Sequence, residues 1–346
     1  MKLPLISVII VTFNSTDYLA KCLSSLMKAK YPNLEIIVVD NNSTDNTIKF
    51  IKSLKQNIIP IFSDKNLGYA GGNNLGINQA KGEFVFLLNP DTLVDKNIFS
   101  FLIEPFLSDS KVAVSQPAIY LMKDSDRLNL TGKVTHYLGF DWVRDYGKKN
   151  SPEMGEIMSF SGCGVMIRKS ILERTKAFDS NYFMYYEDSD LSWRLRLFGY
   201  KLIFVPYAVM FHDYKYIPVE SYQPLKNKLF YNERNRLITV YKNYSMATLL
   251  LIFPAVLIIE ICMLFFSLIG GWFEEKIKGY ASIVKLSSSL HQNRVFVQKN
   301  RILSDKQVTA IFASTLNSKI YDNLGVKYII NPFLFCYWRI IKNLIN

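Results

Sequence analysis

The chain has 346 residues, 49% of them hydrophobic, enough to bury a large core, which excludes a disordered polypeptide. Its net charge of +12 is uneven: residues 1–210 carry 24 basic and 21 acidic groups, and residues 211–346 carry 17 and 8, which points to an anionic partner for the C-terminal third. Four scattered cysteines (Cys22, Cys163, Cys262, Cys336) form no C-x-x-C pair, so no zinc site or disulfide framework is expected, and the thiols read as reduced and packed, as suits the cytosol.

Residues 5–12 are short, β-branched and apolar, which predicts a buried strand. The run turns polar at Thr12 and Asn14, too early for a secretory signal. Apolar periodicity from Tyr18 to Met27 predicts a helix, and Leu34–Val39 a second strand ending at Asp40. A helix is expected over Thr44–Leu54, capped by Ser43 or Thr44. Ile58–Phe62 is a third strand, interrupted by Pro60. A glycine-rich loop over Asn66–Asn74 leads into a helix through Ala80, and Phe84–Leu88 is a fourth strand ending in Asn89-Pro90-Asp91. Alternating units of this length predict a parallel, doubly wound α/β sheet.

All four strand ends carry carboxamides or carboxylates: Asn14, Asp40 with Asn41, Asn66, then Asn89 with Asp91. In open α/β sheets ligands bind beyond the carboxyl ends of strands, so this clustering marks a site. Gly68, Gly71 and Gly72 would let backbone approach a diphosphate. They follow the third strand and do not make a G-x-G-x-x-G pattern, so a dinucleotide site is not expected.

Short strands are expected at Val112–Gln116 and Gly164–Ile167. An aromatic stretch, Tyr182 to Tyr186, then runs through Glu187-Asp188-Ser189-Asp190 into a helix over Leu191–Phe198, closed by Gly199. Lys201–Val205 is a strand, and His212 follows it. Residues 243–273 contain one charged group, Glu260, and are long enough to span a bilayer. Basic residues flank both ends, so a re-entrant hairpin or interfacial helix pair fits as well as a span, and a buried core helix is the remaining alternative. The tail Phe333–Ile345, with Arg339 and Lys342, has the pattern of an interfacial helix.

Five segments together resemble family-2 glycosyltransferases of the GT-A fold, especially rhamnosyltransferase-like enzymes. They are Val8–Asn14, Val38–Asp45, Asn66–Asn74, Leu88–Asp91 and Tyr185–Leu191, in order across residues 5–215. The resemblance implies a GT-A domain over residues 1–215: a Rossmann-like, mostly parallel sheet flanked by helices. Its nucleotide-sugar half would be 1–115 and its acceptor half 116–215, followed by a membrane-associated apolar helical region over 216–346.

The resemblance also implies roles. Asp40 would accept the N3–H of a uracil or thymine ring, with Thr12 and Asn14 beside it. Asn41, Asn66, Gly71, Gly72, Asn74 and Asn89 complete the expected nucleotide-sugar site. Asn89-Pro90-Asp91 stands where the family has a D-x-D metal motif. Asp91, with His212, would therefore hold Mg²⁺ or Mn²⁺ together with the substrate phosphates. Asp188 would be the base that takes a proton from the acceptor hydroxyl, ranked above Glu187 and Asp190.

The expected function is inverting transfer of a sugar from a nucleoside-diphosphate sugar to a glycan or lipid-linked saccharide, in surface polysaccharide synthesis at the cytoplasmic face of the cell membrane. One alternative is a polyprenol-phosphate glycosyl synthase, which would need no base. A second is a non-catalytic, membrane-bound nucleotide-binding protein. No nucleic-acid partner is expected, because the basic region carries no recognisable motif.

Overall fold

A computed structural model describes residues 3–54, 58–214, 226–317 and 324–346. The chain divides into two compact units. The first comprises Met1–Lys133, Val143–Leu195 and Tyr200–Lys215. The second comprises Val134–Trp142, Arg196–Gly199 and Tyr216–Asn346. The boundary expected between residues 215 and 216 lies outside the described residues.

In chain order the first elements are β1 (Ile6–Thr12), α1 (Thr16–Leu26), β2 (Leu34–Asp40), α2 (Thr47–Ser53), β3 (Ile58–Phe62), α3 (Gly68–Gln79) and β4 (Phe84–Leu88). Then come β5 (Thr92–Val94), α4 (Ile98–Ser108), β6 (Val112–Leu121), β7 (Asp124–Leu130), a small hairpin of β8 (Lys133–Thr135) and β9 (Asp141–Val143), and β10 (Gly155–Glu156). β11 (Gly164–Arg168), α5 (Lys169–Thr175), α6 (Glu187–Leu197) and β12 (Lys201–His212) complete this part of the chain.

The main sheet has the order β10-β12-β6-β11-β4-β1-β2-β3, with β5 paired to β12 and β7 to β6. β3, β2, β1 and β4 run parallel, joined by helical crossovers. β11 is antiparallel to both β4 and β6, so the sheet is mixed beyond β4. Alternate residues of β1 supply two cores. Ile6, Val8 and Ile10 pack with α1 and α4, whereas Ile9 packs with Ala70 and Ile77 of α3 and Leu191 and Leu195 of α6.

The structure corrects several expectations. The helix expected over 44–54 begins at Thr47, and neither Ser43 nor Thr44 caps it. Ser43 Oγ accepts instead from the Asn14 N–H (2.9 Å), and the Thr44 N–H donates to Asn14 Oδ1 (2.8 Å). The glycine-rich stretch is mostly helix, not loop. A Cβ on Gly72 would stand 2.7 Å from Val11 Cγ1, and one on Gly76 would collide with Ile9. These glycines therefore let α3 lie close on β1. The strand expected over 112–116 continues to Leu121, and the helix expected from Leu191 already starts at Glu187. His212 does not follow its strand but ends it: β12 passes a register shift between Val205 and Val209 and continues to residue 212. Cys22 and Cys163 are packed as expected, whereas Cys336 is exposed.

The second unit is helical: α7 (Lys226–Asn243), α8 (Met246–Ile269), α9 (Phe273–Lys285), α10 (Ser287–Asn300), α11 (Asp305–Thr309) and α12 (Asn331–Ile341), the last preceded by a π-turn over Val326–Ile330. Ser245 caps α8 by accepting from the Thr248 N–H (3.2 Å). Tyr137 stacks on Trp338 with ring centroids 4.5 Å apart, and its carbonyl accepts from the Tyr244 hydroxyl (2.8 Å). The Arg236 guanidinium lies 4.3 Å from the centre of the Phe140 ring.

Candidate active site

The ends of β1 and β2 lie side by side, with Thr12 opposite Asp40. Both residues are fully buried, yet Thr12 Oγ1 and Asp40 Oδ1 have no hydrogen-bond partner among the described residues. The other Asp40 oxygen accepts from the Ser43 N–H (2.9 Å), which fixes the carboxylate.

The neighbouring carboxamides are spent on the loops. Asn14, at φ 50°, uses Oδ1 to hold Thr44 and Asp45. Asn41 donates to Asn66 Oδ1 (3.0 Å) and the Gly68 carbonyl (2.9 Å) and accepts from the Leu67 N–H (2.9 Å). Asn74 clasps the Phe178 backbone at both its N–H and C=O. Of the expected nucleotide residues, then, Thr12 and Asp40 present buried, unused oxygens. Asn14, Asn41, Asn66 and Asn74 shape the frame, and Gly72 leaves room for Val11 beneath α3.

The turn after β4 delivers the expected metal ligand. The Asn89 N–H donates to the Cys163 carbonyl (2.9 Å), tying the end of β4 to β11, and Thr92 Oγ1 closes the turn onto the Asn89 carbonyl (2.6 Å). β5 then pairs with the end of β12, setting Thr92 opposite His212. This brings His212 Nε2 to 3.4 Å from Asp91 Oδ2. His212 Nδ1 lies 2.9 Å from Asn129 Oδ1, an oxygen that can only accept. With Nδ1 engaged by Asn129, the other ring nitrogen, Nε2, faces Asp91.

Asp91 Oδ1 is buried without a partner among the described residues. A carboxylate with an orphaned oxygen beside an imidazole nitrogen fits a cation held between protein and substrate oxygens. Among the described residues no group of three or more His, Cys, Asp and Glu side chains could hold a metal alone. Tyr18, Asp91, His212, Asp213 and Tyr214 line a cleft of about 180 Å³ here. Asp213 accepts from the Tyr18 hydroxyl (3.1 Å) and gives its N–H to the Asp91 carbonyl (3.0 Å).

Glu187 and Asp188 open α6 behind a strained approach, because Phe183, Tyr185 and Tyr186 all have φ between 63° and 68°. Asp188 is held on all sides. Oδ1 accepts from Lys133 Nζ (2.6 Å) and the Ser189 N–H (2.8 Å), and Oδ2 from the Gly162 N–H (3.1 Å). Gly162 in turn accepts from the Tyr69 hydroxyl of α3 at its carbonyl (2.5 Å). Glu187 Oε2 is buried and unpartnered among the described residues, and burial together with the adjacent Asp188 charge pushes its carboxyl up.

Asp190 has a different task. It takes the Arg194 Nε at 2.9 Å, with both groups almost fully buried. Cys163, between these groups, is pushed up to about 12 by burial and is no nucleophile. Sequence reasoning missed Lys133, Asn129, Gly162 and Asp213, which belong to no motif and reach the site through strand pairing.

Residues 7–175 match the family described as Glycosyl transferase family 2. The chain is 29% identical over 208 residues to a poly-beta-1,6-N-acetyl-D-glucosamine synthase of Staphylococcus aureus (strain MSSA476), and 30% identical over 208 residues to that of Staphylococcus epidermidis (strain ATCC 35984). Each match covers 59% of this chain and 48% of the relative, so the chain spans about half the length of these curated relatives. Among solved structures it is similar to GalNAc-T7 with UDP, GalNAc and Mn²⁺, with a TM-score of 0.57 and 17% identity over 71% of this chain and 49% of that one. It is also similar to the mannosyltransferase PcManGT from Pyrobaculum calidifontis in complex with GDP-Man and Mn²⁺, with a TM-score of 0.50 and 16% identity over 86% of this chain and 87% of that one. These likenesses show the GT-A fold.

Proposed function

Because this chain carries a glycosyl transferase family 2 domain over residues 7–175, we propose that it transfers a sugar from a nucleoside-diphosphate sugar to a hydroxyl of a glycan or lipid-linked saccharide, with inversion at the anomeric carbon. The observation that carries the reading is the row of buried, unpartnered oxygens at successive strand ends: Thr12 Oγ1, Asp40 Oδ1 and Asp91 Oδ1. Leaving such an atom unpaired costs about 1–3 kcal/mol, which a bound donor would recover.

Asp40 Oδ1 would accept the N3–H of a pyrimidine base, with the Thr12 hydroxyl beside it. Asp91 and His212 would hold a divalent cation, which neutralises the charge of the departing nucleoside diphosphate. Asn129, 2.9 Å from His212 Nδ1, would orient the ring for that task. Asp188 takes the proton of the acceptor hydroxyl, while Lys133 and the Gly162 N–H keep its carboxylate oriented. A second reading gives the proton to Glu187, whose Oε2 is unpartnered and whose raised carboxyl suits a base near neutrality. Residues 216–346 dock the enzyme on the cytosolic leaflet, where a lipid-linked acceptor would be presented.

The test is a panel of UDP-, dTDP- and GDP-sugars with Mn²⁺ and purified full-length protein. The relatives named for poly-beta-1,6-N-acetyl-D-glucosamine and the neighbours holding UDP and GDP-Man put UDP-sugars of N-acetylhexosamines first and GDP-mannose next, a GDP-sugar hit overturning the pyrimidine role of Asp40. One donor should raise the melting temperature and release its nucleotide when acceptor is added. If no donor does either, the transferase reading fails. A product with the donor's own anomeric configuration, seen by NMR, rejects inversion.

A further inference from the structure

We infer that α8 lies in the plane of the membrane surface as an embedded anchor and does not cross the bilayer. This rests on the membrane-docking reading above and goes beyond it by fixing how the chain meets the lipid. α8 has 24 residues, with a mean hydropathy of 2.8 in its most apolar stretch, and only 22% of that stretch is buried. It is therefore no core helix, and by length alone it could span.

Its partners decide otherwise. Glu260, just past the middle of α8, is bound by Arg236 of α7 and by Lys276 (2.8 Å) and the Tyr280 hydroxyl (2.6 Å) of α9. Glu233 of α7 joins the same network at 2.5 Å from Lys276 Nζ. Arg236 and Lys276 are each 1% exposed, so the network is a fixed part of this unit.

α7 carries six charged side chains in 18 residues, and α9 carries five in 13. If α8 crossed the bilayer, it would draw these two helices into the hydrocarbon, where charges are strongly disfavoured. The exposure pattern agrees. Leu250, Phe253, Leu257, Ile261, Phe265 and Leu268, at spacings of three and four, are all exposed, whereas Ile252, Ala255 and Ile259 on the opposite side are buried. One face tied through Glu260 to charged helices and one bare apolar face is the pattern of a helix half-sunk in an interface.

α12 extends the apolar surface. The Tyr337 hydroxyl bonds to the Leu251 carbonyl (2.7 Å), and Phe335 and Ile340 are exposed. The excess of 17 basic over 8 acidic groups in residues 211–346 matches an anionic lipid surface.

The test uses full-length protein with Cys262 and Cys336 replaced by alanine. Single cysteines at Leu250, Leu257, Ile261 or Leu268 are labelled with an environment-sensitive fluorophore. The protein is bound to phosphatidylcholine–phosphatidylglycerol vesicles carrying nitroxides at shallow or deep acyl positions. An in-plane helix places all four labels at one shallow depth. Depths that pass through the bilayer centre between Leu250 and Leu268 overturn the inference but leave membrane docking intact. Failure to sediment with the vesicles at low salt removes docking itself. Labels shielded only in a sedimenting dimer assign the stripe to a second copy. Leu257→Asp supplies a check that needs no label: vesicle partitioning should fall roughly tenfold or more, as loss of one buried leucine implies, with donor binding unchanged. Unchanged partitioning refutes the assignment of this face to lipid.

Discussion

Glu187-Asp188-Ser189-Asp190 holds three acids in four residues, and the same Asp→Asn change at two of them should differ in its effect on turnover. Asp190 is fully buried against Arg194, whose Nη2 donates to the Ala177 carbonyl (2.6 Å) and whose Nη1 donates to the Thr175 carbonyl (2.5 Å). The pair therefore staples α6 to the end of α5, where Lys176 and Ala177 have positive φ. Asp190→Asn keeps one acceptor oxygen but leaves a buried guanidinium without its counter-charge. Removing one partner of a buried pair costs about 3–5 kcal/mol, and the retained acceptor favours the low end, about 3. For a unit of about 200 residues that is a drop in melting temperature of roughly 6–12 °C. Differential scanning fluorimetry reads it, and initial rates measured well below the transition should stay near wild type. Asp188→Asn should lose turnover and keep donor affinity; it also strips the largely buried Lys133 ammonium, 2.6 Å away, of its counter-charge, so its melting temperature should fall as well. If Asp190→Asn melts like wild type yet loses turnover, the division of labour between these acids is wrong.

Asp91→Ala should abolish transfer and remove the effect of Mn²⁺ on donor binding by calorimetry; full activity in the variant, or in excess EDTA, refutes the metal role. Asn129→Leu, which frees the His212 ring, should weaken Mn²⁺-dependent donor binding about 10- to 100-fold, and unchanged titration curves would show that the ring is not oriented by Asn129. Glu187 has a raised carboxyl, so the folded chain holds its proton to higher pH than the unfolded chain does. Stability is then lost as pH rises above the ordinary carboxylate range. Glu187→Gln should accordingly melt with wild type at about pH 4 and above it at about pH 8, and a gap that shrinks with rising pH contradicts the shift. If Glu187→Gln also abolishes turnover while Asp188→Asn retains it, the proton goes to Glu187.

The first four strands and their polar ends were legible because each strand is a short apolar run closed by Asn or Asp, and parallel pairing brings those ends together whatever the side chains between them. Asp91 beside His212 was legible only through resemblance: 121 residues separate them, and the contact exists because β5 pairs with the far end of β12. Asn129 and Lys133 could not be read at all. Neither belongs to a motif, and only the pairing of β7 with β6 carries Asn129 to His212. The glycines are ambiguous for a physical reason. Gly71 and Gly72 have the composition of a phosphate-binding loop, but a missing Cβ also lets a helix approach a sheet, and at Gly72 and Gly76 it makes room for Val11 and Ile9 of β1.

That close approach bears on how the domain assembles. α3 contains four glycines and three asparagines in 12 residues. Each glycine costs roughly 0.8–1 kcal/mol of helix propensity against alanine, so the segment has almost no tendency to coil up alone. It is a helix only while β1 is there to receive it. Folding of this wall must therefore wait for β1, β2 and β4 to align. In hydrogen exchange its amides should never outlast those of β1, and an early-forming, independently protected α3 would mean that the order is reversed.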